Sequence, residues 1–164
     1  MNDRLVGAPA RRRLLGAALL VIVLAVSACG GGDGGGGEGG DGGGADASGP
    51  SAAEWIRNLC DEGVAWQHDL NERGRELQAE SGQATSVAGV RDTIARYFRG
   101  AARRTDEFVA DVERNGPPNA EDGERIARQV RTFLTDIRTA FADFADEAAQ
   151  LPVDDPSAFQ TGIQ

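Results

Sequence analysis

Hydrophobic residues follow two different patterns along this chain. From Leu14 to Ala28 every position is apolar or small, whereas from Ile56 onward apolar residues recur three, four or seven apart. The second spacing lines up one face of an α-helix. It predicts a first helix opened by Ser51-Ala52-Ala53-Glu54, a capping box in which serine and glutamate each satisfy a backbone N–H of the other's end. Its stripe is Ile56, Leu59, Gly63, Trp66, Leu70 and Leu77, and Ser81-Gly82 is its expected stop. A second helix is expected from about Ser86 to Asn115, with Val87, Val90, Ile94, Tyr97, Ala101, Phe108 and Val112 on one face. Gly116-Pro117-Pro118 ends it, because proline cannot continue a helix.

Asn119 then reads as the cap of a third helix, with Glu121, Asp122 and Glu124 near its positive end. The stripe of that helix is Ile126, Val130, Phe133, Ile137, Phe141, Phe144, Ala148 and Leu151. Glu121–Arg125, Glu124–Arg128 and Asp92–Arg96 are spaced to pair on exposed helix faces. No stretch alternates with a two-residue period, so no sheet is expected. The predicted fold is all-α, an antiparallel three-helix bundle over residues 51–164. Asp155-Pro156 reads as the start of a fourth helix, short or truncated at Gln164, with Phe159 and Ile163 turned toward the bundle.

The uninterrupted apolar run has another meaning. Arg4 and Arg11-Arg12-Arg13 precede it, and basic residues hold the cytoplasmic side while an apolar hairpin enters the bilayer. At 15 residues it is shorter than the 18 or more of a stable span. An uncleaved membrane anchor is the competing reading. Val26-Ser27-Ala28-Cys29 decides the matter, for it resembles the bacterial lipobox: a branched apolar residue, two small residues and a cysteine. The resemblance implies that residues 1–28 are a signal peptide, cut before Cys29, and that the thiol of Cys29 receives diacylglycerol. Two acyl chains, palmitate among the usual ones, hold a protein to a bilayer without a span. Arg11-Arg12 is a weak twin-arginine signal, since nothing distinctive follows the pair.

Residues 30–50 are mostly glycine, broken by Asp33, Glu38, Asp41 and Asp46. Such a chain buries nothing and reads as a disordered tether over 29–50, with a root-mean-square reach of about 25 Å. A calcium-binding glycine repeat would need a regular apolar position, which is missing.

Charge narrows the partners. The formal net charge is −9, and the leader carries four arginines and one aspartate, so its removal leaves −12. Like-charge repulsion argues against nucleic acid or a bare anionic lipid surface as partner of the whole domain. Arginine supplies every basic side chain, a bias that fits a GC-rich source.

Candidate chemistry is sparse, and no catalytic, cofactor or metal site is expected. His68 is the only histidine. A di-metal bundle needs Glu-x-x-His on two helices and a zinc protease needs two histidines a turn apart, so His68 reads as a surface residue. Cys60 and His68 are eight residues apart on one helix, about 12 Å and too far for a proton-transfer pair. There is no nucleophile elbow, and a phosphate loop requires lysine. An enzyme is not expected. With Cys29 lipidated, Cys60 is the remaining thiol in an oxidising compartment, either buried beside Leu59 or disulfide-bonded to a partner. Trp55 and Trp66, three turns apart, read as core or as a contact for a ligand or partner. Arg96, Arg99 and Arg103, flanked by Arg104, read as a solvated stripe paired with acids of other helices.

Taken over nearly the whole chain, the lipobox, the tether and the helical stretch resemble the small lipoproteins of high-GC Gram-positive, actinobacterial type. Leu59-Cys60 with Trp66, Asn115-Gly116-Pro117-Pro118-Asn119 and Leu151-Pro152-Val153-Asp154-Asp155-Pro156 prompt the comparison. The resemblance implies a lipid-anchored place in the cell envelope, on the extracytoplasmic face of the membrane, and no activity. The functional expectation is a non-enzymatic interaction domain contacting an envelope protein or the wall. The rival is a lipid or small-molecule carrier with a cavity lined by Trp55, Trp66 and the phenylalanines of the third helix.

Overall fold

The computed structural model describes residues 49–163. The expected signal peptide, the lipobox with Cys29 and residues 30–48 of the expected tether lie outside the described residues. Four helices follow one another: α1 (Ala52–Gln83), α2 (Val87–Asn115), α3 (Gly123–Ala149) and the seven-residue α4 (Pro156–Gly162). Among the described residues there is no strand, and a single isolated bridge joins Ser51 to Asn119.

α1 begins as its sequence dictates. The Ser51 hydroxyl accepts the Glu54 N–H at 3.3 Å, and the Glu54 carboxylate accepts the Ser51 N–H at 3.0 Å. Hydrogen bonds from the Ser51 side chain and then its backbone hold the Glu54 carboxyl below its ordinary range. The helix runs through Gly82, which keeps a helical backbone and does not act as a left-handed cap. The stop comes instead at Ala84, whose extended backbone turns the chain toward Ser86. Ser86 caps α2, its hydroxyl accepting the Gly89 N–H at 3.1 Å.

α2 is the middle helix. Against α1, the Trp66 indole donates to Thr105 Oγ1 at 2.9 Å, Asn58 donates to Asn115 at 3.1 Å, and Arg96 pairs with Glu80. Against α3, Phe98 stacks on Phe144 at 5.3 Å and lies 6.2 Å from Phe141, while Glu113 pairs with Arg131 at 3.5 Å. In both sets rising numbers on one helix meet falling numbers on the other, so each pair is antiparallel. α1 and α3 both lie against α2 and barely approach each other. The core is therefore built on α2, with Ala95, Ala101, Thr105, Phe108 and Val112 buried between Trp55 and Trp66 on one side and Leu134, Ala145 and Ala148 on the other.

That arrangement corrects part of the expected core. Ile56, Ile126 and Phe133 were placed on the buried stripes, yet they are 57, 36 and 42 % exposed. Ile126 and Phe133 are seven apart and share one edge of the α3 stripe. With α1 and α3 apart, no neighbour covers those edges. Phe159 of α4 is buried, while Ile163, just past the end of that short helix, is half exposed. Asp155 caps α4 as expected, accepting the N–H groups of Ser157 and Ala158 at 2.9 and 3.2 Å.

The α2–α3 loop departs most from expectation. Gly116 takes φ 69°, a conformation favouring glycine, and α3 starts at Gly123 rather than after Asn119. A Cβ on Gly123 would lie 2.0 Å from the Pro118 carbonyl oxygen, so only glycine lets the turn close. Asp122, in left-handed conformation, stands at the cap position without a capping bond and accepts from Arg125 at 2.8 Å. Arg125 is thereby diverted from Glu121, just as Arg96 goes to Glu80 and Asp92 to Arg91, while Glu124–Arg128 forms as expected. Asn119 donates its backbone N–H to the Pro50 carbonyl at 2.8 Å instead of capping a helix. Gly49 passes so close to Pro117 that a Cβ would sit 2.5 Å from its oxygen. The last two residues assigned to the tether thus belong to the helical domain.

Two outcomes follow from this packing. Thr105→Val keeps the shape but leaves the buried Trp66 N–H without an acceptor, and should cost about 1–3 kcal/mol of stability in urea unfolding, with Thr105→Ser largely neutral. Ser51→Ala should lower the melting temperature at neutral pH. Because the Glu54 carboxyl is lowered in the folded chain, its contribution is full above the ordinary carboxylate range and is lost as pH falls. The gap between variant and parent should therefore narrow at acid pH in thermal scans.

Candidate functional site

Trp55 and Trp66 both point at α2, since eleven residues are three turns and bring side chains to within about 20° of each other. Trp66 is 6 % exposed, with its ring 6.2 Å from Phe108 and its N–H on Thr105, whose own hydroxyl donates to the Ala101 carbonyl at 2.9 Å. Its surface is used by the core. Trp55 is equally buried and donates to the Gly116 carbonyl at 2.8 Å, which fastens the start of α1 to the end of α2.

Beside Trp55 lies a cleft of about 370 Å³ between α1 and α2. Trp55, Leu59, Phe108 and Val112 make its apolar floor. Asn58, Asp61, Glu62, Asp111, Arg114 and Asn115 form the rim. Asn58 and Asn115 bond to each other across one end, and Arg114 is paired with Asp111 one turn away. A second, shallower hollow follows one face of α3 around the exposed Phe133, between Arg125, Arg128 and Asp136.

Arg104 reaches more acids than any other arginine among the described residues. Its side chain is only 11 % exposed, and it reaches Asp69 at 2.6 Å, Glu62 at 3.8 Å and Glu107 at 3.9 Å. The arginine stripe on α2 is thus divided: Arg104 and Arg96 pair with acids of α1, while Arg99 and Arg103 stay exposed without an ion pair among the described residues. His68 is exposed on α1, and its ring, Asp69 and Glu72 bring one ligand atom each within 4.8 Å of one another. Asp69 already accepts the Arg104 guanidinium, which opposes a cation at that trio. Cys60 is half-buried beside Leu59 and is not a free thiol.

Of the candidate site residues read from the sequence, Trp55 lines the cleft, Trp66, Cys60 and His68 do not, and Cys29 lies outside the described residues. The cleft itself went unseen in the sequence, because its rim joins residues 58–62 to 111–115 across the helix pair. The one available signal was the acidic bias of both segments. Comparison with known protein families, characterised proteins and solved structures finds no match for this chain.

Arg104→Ala should remove the link among Asp69, Glu62 and Glu107 and destabilise the chain by about 1–2 kcal/mol in urea unfolding. Arg103→Ala, one residue away and exposed, should change stability by less than about 0.5 kcal/mol.

Proposed function

We propose that this protein is a cell-envelope lipoprotein, held on the extracytoplasmic face of the membrane by lipid on Cys29, whose helical domain is a non-enzymatic interaction module. The observation that carries the reading is Val26-Ser27-Ala28-Cys29 at the end of a basic, then apolar leader. No described helix is long and apolar enough to cross a membrane, so any attachment through residues 49–163 must come from something other than a helical span. The link of Pro50 to Asn119 supports the reading, because a tether entering there meets the domain at one defined point.

The interaction role draws on what the domain offers. Its interior at Trp66 is filled by Phe108 and Thr105, and the concavity at Trp55 is open and rimmed by charge. A carrier of lipid would instead want an enclosed apolar cavity. The partner expected is an envelope protein or the wall.

Mass spectrometry of the protein from its own membranes tests the anchor. The expected product begins at a diacylglyceryl Cys29, and Cys29→Ser should shift the chain out of the membrane fraction or leave it uncleaved. One sulfur cannot carry both a thioether and a disulfide, so a Cys29–Cys60 bond in the isolated protein would overturn the reading, as would a retained Met1. Crosslinking in intact envelopes tests the interaction role, and recovery of no protein or wall adduct would count against it.

A further inference from the structure

The open side between α1 and α3 has a composition of its own, and ion pairs fix which side that is. Asp69 and Glu80 of α1 reach Arg104 and Arg96 on one flank of α2, while Arg131 and Arg138 of α3 reach Glu113 and Asp106 on the other. The opposite flanks of α1 and α3 therefore turn toward the same side of the domain. A step of about 100° per residue puts Ile56, Val64, Gln67, Asn71 and Gln78 there on α1, all exposed, and every acid of α1 elsewhere. On α3 the same side holds Ile126, Gln129 and Phe133, with Ile137 and Phe144 half-buried behind them. Asp69 meets Arg104 while Asp106 meets Arg138, so Ile56 stands level with Ile126 and Val64 with Phe133. All four are exposed.

The two borders of this apolar strip carry opposite charge. Arg57 and Arg75 stand on its α1 edge, and Asp136, Asp143 and Glu147 on its α3 edge. All five are exposed, and none has an ion pair among the described residues. Arg75 is level with Asp143 and Glu147. Arg57 is level with Arg125 and Arg128, whose charges Asp122 and Glu124 already balance.

We propose that a second copy of this chain packs on the strip, about a twofold axis parallel to the helices. That axis lays α1 of each copy over α3 of the other and keeps every residue at its own height. Ile56 and Val64 of one copy then cover Ile126 and Phe133 of the other. Arg75 of one comes beside Asp143 and Glu147 of the other, and the contact occurs twice. An axis across the helices would instead stack α3 on α3 and set acid against acid. A chain this negative repels its own copy on most approaches, but here α1 presents no carboxylate and the edges attract. Contiguous exposed apolar surface marks a contact of this kind. The parallel axis also leaves Pro50 of both copies at one end, as two tethers rooted in one bilayer require. The inference deepens the interaction reading by naming the partner and rests on it, but stands without the lipid anchor.

The test is sedimentation equilibrium of the full chain in density-matched non-ionic detergent, with micelles in excess over chains. A concentration-dependent dimer is expected. Arg75→Glu and Glu147→Arg each set like charges together twice per dimer, and each should weaken it on the order of tenfold. Mixed with each other, the two variants should pair at close to the parental affinity, because each swapped charge then meets its opposite. A misfolded variant would not be rescued in this way. Phe133→Asp should leave a monomer, whereas Glu76→Arg, exposed on the other flank of α1, should keep affinity within about twofold. A monomer at every concentration, a mixture no tighter than its components, a dimer of Phe133→Asp or equal weakening by Glu76→Arg overturns the proposal. Envelope crosslinking separates the two levels. Adducts to other proteins or the wall without a self-adduct remove the second copy and leave the interaction reading standing, whereas no adduct of any kind removes both.

Discussion

Two indole rings hold α1 to α2, and the rest of the domain is arranged around that hold. Each buried ring takes about 200 Å² out of water, on the order of 4–5 kcal/mol before ordering costs. Burying an indole also buries its N–H, which must be bonded. Thr105 meets that need in the core, fully buried itself and bonded onward to the Ala101 carbonyl. Gly116 meets it at the helix end, where a glycine carbonyl is left free by the turn. The hydrophobic term supplies the energy and the two N–H bonds select the register.

Register in turn places the charges. With Trp66 on Thr105 and Trp55 on Gly116, the acids of α1 come opposite Arg104 and Arg96, and the acids at both cleft edges come together. A chain this acidic would repel itself if its carboxylates were spread evenly. Arg104 gathers three of them, Glu62, Asp69 and Glu107, around one guanidinium.

Much of the helical domain is legible in the sequence. The Ser51 box, the Gly116-Pro117-Pro118 stop and the Asp155-Pro156 start are local devices whose hydrogen bonds close within a few residues. Periodicity likewise identified Trp66, Ala101, Phe108 and Val112 as interior. It misjudged Ile56, Ile126 and Phe133, because a stripe records that a helix has an apolar face but not how much of that face a neighbour covers. Asn119 misled for a related reason. It is a good capping residue by type, but the Pro50 carbonyl claims its N–H and Gly123 alone can approach Pro118 closely enough to begin α3.

From sequence come the helices, their antiparallel order and the acidic balance, since each depends on neighbours within a turn or on composition. Tertiary structure decided that α2 stands in the middle, that Arg104 rather than the exposed stripe carries the interhelical charge, and that residues 58–62 and 111–115 form one cleft. Those outcomes depend on groups dozens of residues apart meeting at a few ångströms. That meeting is set by the fit of two tryptophans against one helix, which no local pattern contains.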